Sequence, residues 1–170
     1  MMARIEAIIL AGTRILSTLG LLALLILAAM TIADGLTRSL AGQPIAGVRD
    51  VAALTIAVAV TCCLPIGLAE RGNITIRFAD AIGKKISGIL DVIAAILVLV
   101  VMVLIANQFL AYAAGIARDG ERTWVLKLPT APFWYAVDVL LWCAVVVQFT
   151  IVLVEFRRVA ILIFSPEREA

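Results

Sequence analysis

Residues 51–69 read VAALTIAVAVTCCLPIGLA, without one charged side chain, between Arg49-Asp50 and Glu70-Arg71. As a helix rising about 1.5 Å per residue this run is roughly 28 Å long, close to the hydrocarbon thickness of a bilayer. Three further stretches share its character. Residues 15–33 are uncharged between Arg14 and Asp34, residues 92–117 between Asp91 and Arg118, and residues 128–154 between Lys127 and Glu155 apart from Asp138. Four such runs fill most of a 170-residue chain that is 64% hydrophobic and only 15% charged. Soluble domains are about half apolar and a quarter charged. The chain is therefore read as an all-α membrane protein with four transmembrane helices, at approximate spans 15–36, 51–69, 92–117 and 128–154, in a single domain over residues 1–170.

Arg4, Glu6 and Arg14 precede the first run. A basic start before an apolar run is also the pattern of a secretory leader, whose apolar region is about 7–15 residues. This run is longer and is expected to stay as a spanning helix. In the connection 34–50, Gly42, Pro44 and Gly47 break any long helix and predict a short link or an interfacial half-turn. Pro65 and Gly67, near the far end of the second run, predict a kink. Between the second and third runs, Ile76, Phe78, Ile82, Ile86, Ile89 and Leu90 recur mainly at spacings of three and four, with Arg77, Asp80, Lys84, Lys85 and Asp91 between them. That pattern predicts a cytoplasmic amphipathic helix at the membrane surface, or an extension of the third span.

The third run is long enough to tilt. Its adjacent amides, Asn107 and Gln108, are read as interhelical hydrogen-bond glue ahead of a transport site, and Ala111 and Gly115 as a small-residue pair suited to close helix approach. Residues 118–127 form a polar turn, and Pro129 is placed in the first turn of the fourth helix. Trp124, Phe133, Trp134 and Tyr135 read as an aromatic belt at the membrane surface. Asp138 follows one turn later. A carboxylate at the bilayer centre costs about 2.5–3.5 kcal/mol on insertion scales, so Asp138 is read as an interfacial or partner-facing anchor, ahead of an ion-coupling site. The short apolar AILIF of the tail is expected to dip into the interface.

Orientation follows from the cations. Arg4, Arg14, Arg71, Arg77, Lys84, Lys85, Arg157, Arg158 and Arg168 fall on one side, against Arg38, Arg49, Arg118, Arg122 and Lys127 on the other. The positive-inside rule then places both termini and the second connection in the cytoplasm, and the first and third connections outside. A net charge of +2 is too balanced to point to nucleic acid.

The chain has no histidine, which removes bis-His haem ligation, His-based zinc sites and histidine general-base catalysis. Cys62, Cys63 and Cys143 lie inside apolar runs without a C-x-x-C, and read as small hydrophobes. There is no G-x-S-x-G, phosphate loop or dinucleotide turn, nor an inverted repeat with broken helices. No enzyme and no cofactor is expected. A chain that crosses the membrane four times with so little internal polar chemistry is expected to support another protein.

The flanks of the second run carry a family likeness. Arg38, Gly42-Gln43-Pro44-Ile45, Gly47 and Asp50 precede it, and Arg71-Gly72-Asn73-Ile74 with Thr75-Ile76 and Asp80 follow. Trp124-Val125-Leu126-Lys127-Leu128-Pro129 and Trp134-Tyr135 mark the approach to the last run. In this order and spacing the sequence resembles the small membrane subunit, DctQ type, of the tripartite ATP-independent periplasmic (TRAP) transporters. Asn73 and Asp50 depart from the family's more usual His and Glu. The resemblance implies a bacterial inner-membrane scaffold paired with a large elevator-type subunit for sodium-coupled uptake of an organic acid, which a periplasmic binding protein delivers. It implies no role for Asp138.

On that reading Phe78, Ile82, Ile86, Ile89, Asn107, Gln108, Ala111 and Gly115 are expected to face the large subunit. Arg38, Arg49, Arg122 and Lys127 are expected to dock the binding protein, while Trp124, Trp134, Tyr135 and Asp138 anchor the chain at the interface. The competing readings are the small subunit of a tripartite tricarboxylate transporter, a small membrane enzyme, and a self-assembling channel.

Overall fold

The computed structural model describes residues 2–70 and 84–164. Four helices account for nearly all of them: α1 Met2–Ala41, α2 Val48–Ala69, α3 Lys84–Asp119 and α4 Ala131–Phe164. Each contains a stretch long and apolar enough to cross a membrane: Ala7–Ala41, Val48–Ala69, Ile86–Asp119 and Ala131–Ile161. The 22 residues of α2 give about 33 Å, a close match to the hydrocarbon, whereas α1, α3 and α4 run well past 45 Å and overhang it.

The helix ends obey backbone chemistry rather than polarity. α1 continues past the first span's expected end near residue 36 and carries Asp34 and Arg38 one turn apart, paired at 3.8 Å. It stops at Gly42, whose φ of 69° is the left-handed conformation that glycine adopts without steric cost. Asp34 then accepts the Ile45 N–H at 2.6 Å, folding the link back toward α2. Gly47, also left-handed at φ 88°, precedes α2, so Arg49 and Asp50 lie in its first turn. An acid there meets the positive end of the helix dipole. α2 runs through the fully buried Pro65 to Ala69.

Two expectations change. Helix α4 begins at Ala131, not at Leu128-Pro129, because residues 121–130 form a hairpin in which Pro129 pairs with Arg122. Ile86 and Ile89 already belong to α3, which favours an extension of the third span over a separate helix at that point. Phe78 and Ile82, with the rest of residues 71–83, lie outside the described residues.

The helices pack as a row: α1 on α2, α2 on α4, and α4 on α3. The α1–α2 seam closes at Gly20, where a Cβ would fall 2.7 Å from the Ala59 carbonyl oxygen and 2.8 Å from the Cys62 Cβ. The main core lies where α4 meets its two neighbours, with Leu68 of α2, Met102 and Ala106 of α3, and Val137, Leu141, Ala144, Val145 and Val147 of α4. Ala106 and Ala144 are completely buried, which allows close helix approach. Two contacts set the antiparallel register of α3 and α4. The Gln148 amide donates to the Ala95 carbonyl at 3.0 Å, and Phe109 and Trp134 lie 5.8 Å apart between ring centroids. Both the α1–α2 and α3–α4 connections lie at the same end of the helices, joined through Asp50. At the other, Arg14 and Glu70 pair at 3.7 Å.

Candidate functional site

The α3–α4 connection is a built object, not a slack loop. Gly120, with φ 63°, turns the chain out of α3. The Thr123 N–H then donates to the Leu128 carbonyl at 2.9 Å and the Thr130 N–H to the Glu121 carbonyl at 3.1 Å. Within this frame the Leu128 N–H donates to the Thr123 hydroxyl oxygen at 3.0 Å, and Lys127 takes φ 54° at the tip. A non-glycine residue in that region is uncommon and persists where its surroundings hold it.

The tip is held from outside the hairpin. One carboxylate oxygen of Asp50 accepts the N–H groups of Val125 and Leu126, at 2.8 and 2.9 Å. These two N–H groups, that of Leu126 foremost, with the Thr123 hydroxyl and the positive charge of Lys127, hold the Asp50 carboxyl below its ordinary pKa. Beside it the Leu126 side chain lies over Gly47, where a Cβ would come within 2.6 Å of Leu126 Cγ. Gly47 is therefore required twice, by its backbone conformation and by the space above it. Asp50 and Gly47 join the two connections, which are 75 residues apart in the chain.

Around this clamp stand the cations assigned to docking. Arg49 is exposed in the first turn of α2, and Lys127 is exposed on the hairpin. Arg122, also exposed, donates to the Lys127 carbonyl at 3.3 Å. Arg38 is exposed one connection away at the end of α1. Trp124, 90% exposed, projects from the hairpin. Trp134, by contrast, is half-buried and packs with Phe109 and Tyr112 in a three-ring cluster across α3 and α4. Tyr135 is exposed on the neighbouring face.

A second surface runs along α3. Gln108 is exposed in a shallow groove whose other walls are Leu104, Ile105, Phe109, Tyr112 and Trp134. Asn107, also exposed, donates to the Val103 carbonyl of its own helix at 2.9 Å. Ala111 is exposed, and Gly115 has open space where a Cβ would stand. Among the described residues no atom outside its own helix comes within 4 Å of that Gly115 position. Ile86 and Ile89 are exposed as well.

Asp138 is not at the surface. It is 5% exposed, and its Oδ1 has no hydrogen-bond partner among the described residues. Four residues beyond Trp134, in the register set by Phe109 and Gln148, it lies level with Ile105–Ala106, near the middle of α3. α4 turns this residue into the helix contacts rather than toward an exposed face. Gln148 and Glu155, which the sequence reading passed over, are also buried, and Glu155 pairs with Arg158 at 3.6 Å. Gln148 had a legible signal as the sole amide of α4. Among the described residues no three His, Cys, Asp or Glu side chains gather where one metal ion would hold them.

No curated protein and no solved structure shows a significant match to the chain. One protein family does: the sequence model described as "Tripartite ATP-independent periplasmic transporters, DctQ component" matches residues 27–159. The matched region takes in the latter part of α1, both interlocked connections, α2, α3 and most of α4. A chain matched over more than three-quarters of its length, with four apolar helices and this loop arrangement, belongs to the DctQ family of TRAP transporter components, a non-enzymatic part of a transport system.

Proposed function

We propose that this chain is the fixed scaffold subunit of a TRAP transporter in a bacterial inner membrane, with both termini in the cytoplasm. Its partner is a large elevator-type subunit that performs sodium-coupled uptake of an organic acid. A periplasmic binding protein delivers the substrate to the outer face, where Arg38, Arg49, Arg122 and Lys127 receive it. The chain offers no transport path of its own in this reading; substrate and ion sites belong to the large subunit.

The observation that carries the reading is the outward face of α3. Gln108 stands exposed among apolar and aromatic side chains, inside a run that crosses hydrocarbon. Lipid tails cannot hydrogen-bond an amide, whereas a neighbouring helix can. Gly115 and Ala111 leave room for such a helix to approach, and Ile86 and Ile89 continue the exposed apolar surface toward the cytoplasmic end.

The test is a mild-detergent pull-down of the tagged chain from its native membrane, with bound proteins identified by mass. Recovery of one large polytopic partner at about 1:1 stoichiometry is the expected result. Recovery of the chain alone or as a homo-oligomer overturns the scaffold reading.

A further inference from the structure

The pairing of the two outer connections has a role that neither connection has alone. We propose that Asp50 is a positioning residue: its carboxylate locks the 121–130 hairpin to the start of α2, so that both connections meet an incoming acidic protein surface as one rigid platform. This rests on the docking reading given above, and it names how that site is held in shape.

The geometry supports the step from contact to function. A two-residue reach between neighbouring loops would be ordinary turn chemistry, but Asp50 captures N–H groups 75 and 76 residues away. Charge-assisted bonds to backbone amides are about twice as strong as neutral ones, and here two converge on a single oxygen. The bonds fall on Val125 and Leu126, immediately before Lys127, whose left-handed backbone sets the direction of the returning arm. Arg122 is tied to the same point through the Lys127 carbonyl. Releasing the tip therefore frees Arg122, Trp124 and Lys127 together, while Arg49 stays fixed in α2. Leu126 over Gly47 supplies the apolar half of the same lock. A platform fixed before contact spares the complex the entropy of ordering it on contact.

The chemistry of the partner follows from the rim. Three exposed cations, Arg49, Arg122 and Lys127, lie on the same two segments as the exposed Trp124 and Val125, against one exposed acid of the hairpin, Glu121. That combination fits an acidic patch with an apolar centre on a soluble protein. Such charges act chiefly on encounter rate and orientation.

The experiment uses the complete transporter in liposomes, with uptake measured against the concentration of its own substrate-loaded binding protein. Asp50→Ala is expected to raise the concentration for half-maximal uptake about tenfold, since two charge-assisted bonds are lost. The maximal rate and the co-purification of the membrane subunits stay unchanged. Asp50→Asn keeps an acceptor oxygen at the same place and is expected to raise it by less than about threefold. In parallel, a spin label at Trp124→Cys, in a chain whose three native cysteines are replaced, is expected to gain mobility with Asp50→Ala. An immobile label in that variant overturns the lock. A mobile label with an unchanged half-maximal concentration overturns the positioning role. The double reversal Arg122→Glu with Lys127→Glu reads the docking surface separately. If that variant transports normally the docking reading fails, whatever Asp50 does to the label.

Discussion

Gly20 and Gly115 are the same residue in the same kind of helix, yet they face opposite demands. At Gly20 the nearest obstacle to a side chain is a backbone oxygen of α2, which cannot rotate away. Gly20→Val is expected to destabilise the chain by about 1–3 kcal/mol, the usual cost of overpacking a close contact, read as a lowered unfolding temperature in detergent. Gly115→Val meets open space and is expected to leave the isolated chain within about 0.5 kcal/mol of the parent, while weakening recovery of the large subunit. A parallel loss of stability in both variants would contradict the assignment of their surroundings. Asp138 raises the reverse question, because its surroundings offer Oδ1 no partner. Asp138→Asn removes the ionisable group at nearly constant volume, and the expected outcome is an unfolding temperature equal to or above the parent's. A carboxylate at the bilayer centre costs about 2.5–3.5 kcal/mol on insertion scales, and the neutral amide relieves part of the corresponding cost at this shallower position near the start of α4. A clear fall would show that the carboxylate is held by a contact within the chain's own fold.

At the scale of the element, helix existence was plain from the uncharged runs, and helix ends were not. Charges mark where hydrocarbon stops, but a helix stops where its backbone is turned. Asp34 and Arg38 therefore lie inside α1, which ends only at Gly42. Leu128-Pro129 looked like a helix start because proline suits a first turn; the hairpin bonds of Thr123 and Thr130 claim that stretch instead. The facing of each helix was equally hidden. All four are apolar on every side, so periodicity carries no direction, and the burial of Asp138 depends on a register that only the α3–α4 contacts supply. The Asp50 clamp was out of reach for a related reason, since nothing local to residue 50 points to residue 125. Asn107 and Gln108 are legible in the sequence as adjacent amides on the otherwise apolar run of α3. Replacing both with Leu is expected to leave the chain's own unfolding unchanged, because both side chains are exposed, and to reduce large-subunit recovery by at least about threefold, given that interhelical polar contacts in membranes average about 0.6 kcal/mol each.

For the whole molecule, the order α1–α2–α4–α3 is the property that sequence order conceals. Short connections join α1 to α2 and α3 to α4, but the central seam is between α2 and α4, which are not consecutive. Cysteine pairs placed across α1 and α2, across α2 and α4, and across Phe109 and Trp134 are expected to cross-link in the membrane. Pairs between α1 and α3 are expected not to, and their efficient formation would replace the row with a closed bundle. Helices about 10 Å across, packed mainly in a row, spread wider in the bilayer plane than a closed bundle, although Ile9 of α1 also leans on the main core around α4. If the large subunit clasps one side of the row, as proposed above, that breadth lets the contact extend across several helices rather than one.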